Sequence, residues 1–126
     1  MDTRVAVAVL ATAVAALAVA PVGHAKRGDV RVAGVCTASS TAKLKLSEED
    51  GGIEVEFEVD QNRNGVRWVV AIARNGTRVV KTTRVTKSPS GSFTLRVVTP
   101  NGPGTDRFVA RATSPAGEVC TARAGF

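Results

Sequence analysis

Few side chains in this sequence have the types and spacings that chemistry requires, and each of them has a plain structural reading. Asp60-Gln61-Asn62-Arg63-Asn64-Gly65 repeats the opening of a calcium loop, with oxygen donors at alternate positions and a glycine to turn. The twelfth position of such a loop needs a bidentate Glu and here holds Ala71, while Arg63 and Arg67 would repel the ion. Asn and Gly are ordinary turn residues, so residues 60–65 are expected to form a loop without metal. Ser40-Thr41-Ala42-Lys43 has the S-x-x-K spacing that, on a helix, sets a lysine beside a nucleophilic serine. Lys43 instead alternates with Leu44 and Leu46 as in a strand, and no S-D-N or K-T-G partner follows. The single histidine, His24, lies in the apolar leader, so the rest of the chain has no imidazole base and no histidine metal ligand. Glu54, Glu56 and Glu58 share one strand face, which a two-carboxylate hydrolase would use, but Lys43 and Lys45 are expected to neutralise two of them. Asn75-Gly76-Thr77 is a glycan acceptor only in a eukaryotic secretory path and otherwise a turn. The expectation is no catalytic residue, no metal and no cofactor: not an enzyme.

Charge carries more information than these motifs. The net charge is +6, and it is split along the chain. Residues 26–60 hold five basic and eight acidic side chains, net −3; residues 61–126 hold eleven basic and two acidic, net +9. A basic half of this strength attracts anionic polymers. Arg67, Arg74, Arg78, Lys81 and Arg84 cluster in sequence and are the candidate anion-binding residues. The partners this implies are an anionic cell-wall polymer or another secreted protein. Phe57, Phe93 and Phe108 fall at inward positions, so no aromatic platform accompanies the cations and specific nucleic-acid binding is not expected. The competing reading is an inert structural component of an envelope or matrix, with the charge serving solubility alone.

The ends of the chain indicate where it works. Arg4 precedes an uncharged Ala/Val/Leu run over residues 5–22 of about 18 residues, close to the lower limit for a membrane span. Pro21 and then Gly23-His24-Ala25 end that run, the layout of a signal peptide cut after Ala25. With that cut, residues 26–126 form one secreted, extracellular domain; the alternative for the leader is an uncleaved membrane anchor. Cys36 and Cys120 are the only cysteines, and an oxidising exterior lets them pair. Closing so long a loop contributes about 4 kcal/mol in the chain-entropy picture. That matters because aromatics are only 4% of the chain and Tyr is absent, so the core is mostly Val, Leu, Ile and Ala.

The elements that position these residues are strands. Period-two alternation recurs between Gly, Pro, Asn and Ser punctuation. Ala42, Leu44 and Leu46 alternate with lysines; Ile53, Val55, Phe57 and Val59 alternate with glutamates. A polar turn over residues 47–52 would pair Lys45 with Glu54 and Lys43 with Glu56. Asn75-Gly76 signals a tight hairpin, since a primed turn needs two residues with positive φ. Phe93, Leu95 and Val97 form one face, as do Phe108, Ala110 and Ala112. About eight short strands and no helical period predict an all-β sandwich, with an OB-type barrel as the alternative. Trp68 is expected between the sheets.

Trp68 at the start of a central strand, the Phe93–Val97 strand, and Asp106-x-Phe108-x-Ala110 together resemble the C, E and F strands of an immunoglobulin-like or fibronectin-type domain. The usual inter-sheet cysteines and the corner tyrosine of that family are missing. A wider pattern runs through Val35-Cys36, the 52–60 strand, Gly65 before Trp68, Asn75-Gly76, Ser90-Gly91-Ser92-Phe93, Gly104-Thr105-Asp106 and Gly117-Glu118-Val119-Cys120. It is similar to that of small secreted actinobacterial β-sandwich proteins of unknown function. The resemblance implies export and a sandwich, and no reaction; the fold expected is a single immunoglobulin-like or fibronectin-type sandwich of about seven or eight strands with one disulfide.

Overall fold

A computed structural model describes residues 28–126. The leader and its cleavage site after Ala25 lie outside the described residues. Among the described residues nine strands run β1 (Val30–Ala33), β2 (Val35–Cys36), β3 (Thr41–Glu49), β4 (Gly52–Asp60), β5 (Arg67–Arg74), β6 (Thr77–Val85), β7 (Ser92–Pro100), β8 (Arg107–Thr113) and β9 (Val119–Gly125). They form two antiparallel sheets, β1-β3-β4-β7 and β2-β9-β8-β5-β6, packed as a sandwich. Alternation decides which residues fill it, because successive Cβ atoms point to opposite faces. Leu44, Leu46, Ile53, Val55, Phe57 and Val59 come from one sheet, and Trp68, Val70, Ile72, Phe108, Ala110 and Ala112 from the other; all are buried. Each Val, Leu, Ile or Phe taken out of water in this way contributes about 1.5–3 kcal/mol. Trp68 packs on Phe93 with ring centroids 6.1 Å apart, and its Nε1–H donates to Gln61 Oε1 at 3.1 Å. The indole is thus buried with its polar atom satisfied.

The N-terminal segment forms two short strands rather than one. It divides at Gly34, where the chain crosses from one sheet to the other. A Cβ at Gly34 would lie 2.8 Å from Ala42 Cβ and 3.0 Å from Thr121 O, so only glycine lets the crossing sit this close to β3 and β9. Strand β2 has only two residues and therefore few ladder bonds. Its hold is covalent: Cys36 and Cys120 are register partners on β2 and β9 and form the disulfide, 84 positions apart in sequence.

The β3–β4 hairpin corrects a second expectation. Both strands run on to Asp50-Gly51, which form the entire turn, with φ of 45° and 79°. The register is therefore Lys45 opposite Glu56 and Lys43 opposite Glu58, two residues from the expected pairing. A two-residue shift leaves every side chain on its expected face, so the core prediction survives. Asn75-Gly76 makes the same kind of turn, with φ of 49° and 82°.

Thr86 sets the long β4–β5 connection. Its Oγ1 accepts the Val66 N–H at 2.9 Å and donates to Arg63 O, and its carbonyl accepts the Gly65 N–H at 2.7 Å. Gly91 backs onto the same loop: its φ is 67°, and a Cβ there would lie 2.2 Å from Arg63 N.

Candidate polyanion-binding surface

The two outer faces of the sandwich differ in how their charges are balanced. On the four-stranded sheet every described cation has a carboxylate partner. Arg31 and Lys45 pair with Asp29 at 3.3 and 3.7 Å, Lys43 with Glu58 at 3.5 Å, and Arg96 with Glu54 and Glu56 at 3.3 Å each. The recess on this face is lined by Arg31, Lys43, Lys45, Glu56 and Glu58, both signs together.

The five-stranded sheet presents only cations. Trp68, Val70 and Ile72 point inward from β5, so Arg67, Val69, Ala71 and Ala73 point outward. Phe108, Ala110 and Ala112 point inward from β8, so Arg107, Val109 and Arg111 point outward. On β9 the buried Cys120 and Ala122 leave Thr121 and Arg123 outward. Register places Lys81 and Arg111 on either side of Ala71. It places Arg78 beside Ala73, and Arg123 beyond Val109 on the other side. Arg67, Arg78, Lys81, Arg107, Arg111 and Arg123 are all exposed, and none makes an ion pair among the described residues.

The two acidic residues of the basic half are held elsewhere. Asp106 is buried; its Oδ1 accepts Arg74 Nε at 3.0 Å, Arg74 Nη2 at 2.9 Å and Asn75 Nδ2 at 3.0 Å. Burial alone would raise its pKa; the hydrogen bonds from Arg74 and Asn75, the Arg74 charge and the Gly102 backbone outweigh that and lower it. Glu118 accepts hydrogen bonds from the Ser40 backbone N–H at 3.1 Å and from Ser40 Oγ, tying the turn before β9 to the start of β3.

Of the five candidate cations, the structure brings three to this face. Arg67, Arg78 and Lys81 are there. Arg74 is not: its guanidinium is bound to Asp106 at the sandwich end. Arg84 is not either: it is the register partner of Trp68, on the other side of the sheet, and donates to Thr82 Oγ1 and Thr83 O. Arg78 and Lys81 are three residues apart, which plain alternation would put on opposite faces. A bulge between Ile72 and Ala73 makes Val79 the extra residue and returns both to the outer face. Sequence reasoning missed Arg107, Arg111 and Arg123. The signal was present, since each flanks an inward position in β8 or β9 that alternation identifies.

The other motifs resolve as turns and pairs. Asp60 Oδ1 accepts the Asn62 N–H at 3.0 Å, closing the 60–65 loop on itself. Ser40 is engaged by Glu118 and Lys43 by Glu58, so the S-x-x-K residues do not meet. Asn75 Nδ2 is held by Asp106, and Asn75 Oδ1 accepts the Arg107 N–H at 2.8 Å. No protein-family model matches the chain, and no curated protein matches it.

Proposed function

We propose that this chain is an exported, non-enzymatic binding module of the immunoglobulin type that holds an anionic polymer on the outer face of its five-stranded sheet. The observation that carries the reading is the set of six exposed cations on one sheet face with no carboxylate among them. Like charges kept together without counter-charges repel one another, and an anionic partner relieves that repulsion. Export rests on the leader pattern, and the Cys36–Cys120 bridge fits an oxidising compartment. No helix among the described residues is long and apolar enough to cross a membrane. The immunoglobulin-type classification rests on connectivity: β3-β4-β7 take the places of strands A, B and E, and β6-β5-β8-β9 those of C′, C, F and G.

The test is retention of the purified protein on heparin and on cell-wall polymer resins at low salt. The variant carrying Arg78→Gln, Lys81→Gln, Arg111→Gln and Arg123→Gln should elute at much lower salt than the variant carrying Lys43→Gln, Lys45→Gln and Arg96→Gln. Equal elution of the two, or no retention of the parent, would leave the inert structural reading in its place.

A further inference from the structure

We infer that the polymer bound on this face is a linear, base-free phosphodiester chain lying along β5, a statement that rests on the reading above. The argument comes from the shape and spacing of the cationic face. Ala71 and Ala73 on β5, with Val109 beside them on β8, are short side chains among long ones. Lys81 and Arg111 stand on either side of Ala71, and Arg78 and Arg123 on either side of the Ala73–Val109 pair. The face is thus a shallow trough with a small apolar floor and cationic walls. Neighbouring strands are about 4.8 Å apart, so the Lys81 and Arg111 backbones are about 10 Å apart, room for one chain at that level, and those of Arg78 and Arg123, one strand further apart, about 14 Å.

Along the trough the cations recur in steps of two residues. Lys81 and Arg111 share one level, Arg78 and Arg123 the next, and Arg107 lies two residues beyond Val109. Each step is about 6.7 Å at the antiparallel rise. A polyol phosphate joined through three carbons has six backbone bonds per repeat. A peptide spans about 3.3–3.6 Å over three bonds, so six extend to about 7 Å. Phosphate and cation can therefore stay in step along the trough. Three successive levels therefore carry cations, about 13 Å or about three phosphates; the Val69 level, flanked by Thr83 and Thr113, carries none, and Arg67 stands one level beyond it. Inorganic polyphosphate, with two bonds per repeat, cannot keep this step. Single-stranded nucleic acid has the six-bond repeat, but every described aromatic ring is buried, so its bases gain no stacking partner. A flat anionic membrane would meet the walls and leave the floor empty.

The test uses poly(glycerol phosphate) oligomers of defined length as the probe, with oligothymidylate, inorganic polyphosphate and anionic phospholipid vesicles as comparison arms. Affinity should rise with each added phosphate up to about three, rise again at about five where Arg67 is reached, and then level off. For about four phosphates neutralised the slope of log K against log salt should be about −3. The variant Ala71→Phe fills the trough floor without changing charge. It should weaken poly(glycerol phosphate) at least about tenfold while vesicle binding stays at the parental level. Its circular dichroism and thermal midpoint show whether it is folded. Parental affinity of folded Ala71→Phe for the oligomers would overturn the trough, as would oligothymidylate or vesicles binding more tightly than they do. Equal binding of all four probes overturns the phosphodiester inference and leaves the binding module standing; binding of none overturns both.

Discussion

Removing the Asp106 carboxylate tests how the basic half is held together. That group links three segments: Arg74 at the end of β5, Asn75 in the hairpin turn, and its own position before β8. Its backbone also exchanges two hydrogen bonds with Phe126, at 3.0 and 2.9 Å. Asp106→Ala would leave the Arg74 guanidinium and the Asn75 amide without their acceptor. Breaking one side of a buried ion pair costs about 3–5 kcal/mol. The Arg74 side chain keeps 20% of its surface in water, which favours the lower end, about 3 kcal/mol. At about 4–8 °C per kcal/mol for a domain of this size, the midpoint should fall by about 12–24 °C. The pH dependence gives a second readout. The Asp106 pKa is lowered in the folded state, so the unfolded chain takes up the proton first as the pH drops. The stability this contributes is present above the ordinary aspartate pKa and disappears as the pH falls through the lowered one. The variant has no such contribution to lose, so its gap from the parent at neutral pH should narrow in acid. Thermal unfolding followed by circular dichroism across that range measures both effects. A midpoint within about 2 °C of the parent at neutral pH, or a gap that stays constant into acid, would refute the reasoning.

Two further outcomes follow from the packing. Replacing both cysteines by serine should lower stability by about 4–5 kcal/mol, from the 84-residue separation they close, measured by urea unfolding of parent and variant. Gly34→Ala should cost about 1–3 kcal/mol, because the new methyl would lie 2.8 Å from Ala42 Cβ at the crossing between sheets; a midpoint equal to the parent's would show that the crossing can relax.

Much of the fold was legible because β alternation is local. The 53–59 run identifies its buried face residue by residue, and Phe93, Leu95, Phe108, Ala110 and Ala112 are inward as the period requires. Asn75-Gly76 is a turn because two adjacent positive-φ residues leave few other conformations. The Asp50-Gly51 turn carried the same signal, and reading it as a longer polar loop displaced the β3–β4 register by two. Which cations stand together was not legible in this way. Arg74 and Asp106 are 32 residues apart, and their pairing exists only once β5 lies beside β8. Arg78 joins Lys81 on the outer face only because of the bulge at Val79, and Arg111 and Arg123 join them only through the strand order β9-β8-β5-β6. Between bulges, the sequence by itself determines which side of its own strand each residue takes, since that depends on a two-residue backbone repeat. Tertiary structure alone decides which strands become neighbours and where their ladders slip, because those depend on contacts between segments far apart in the chain.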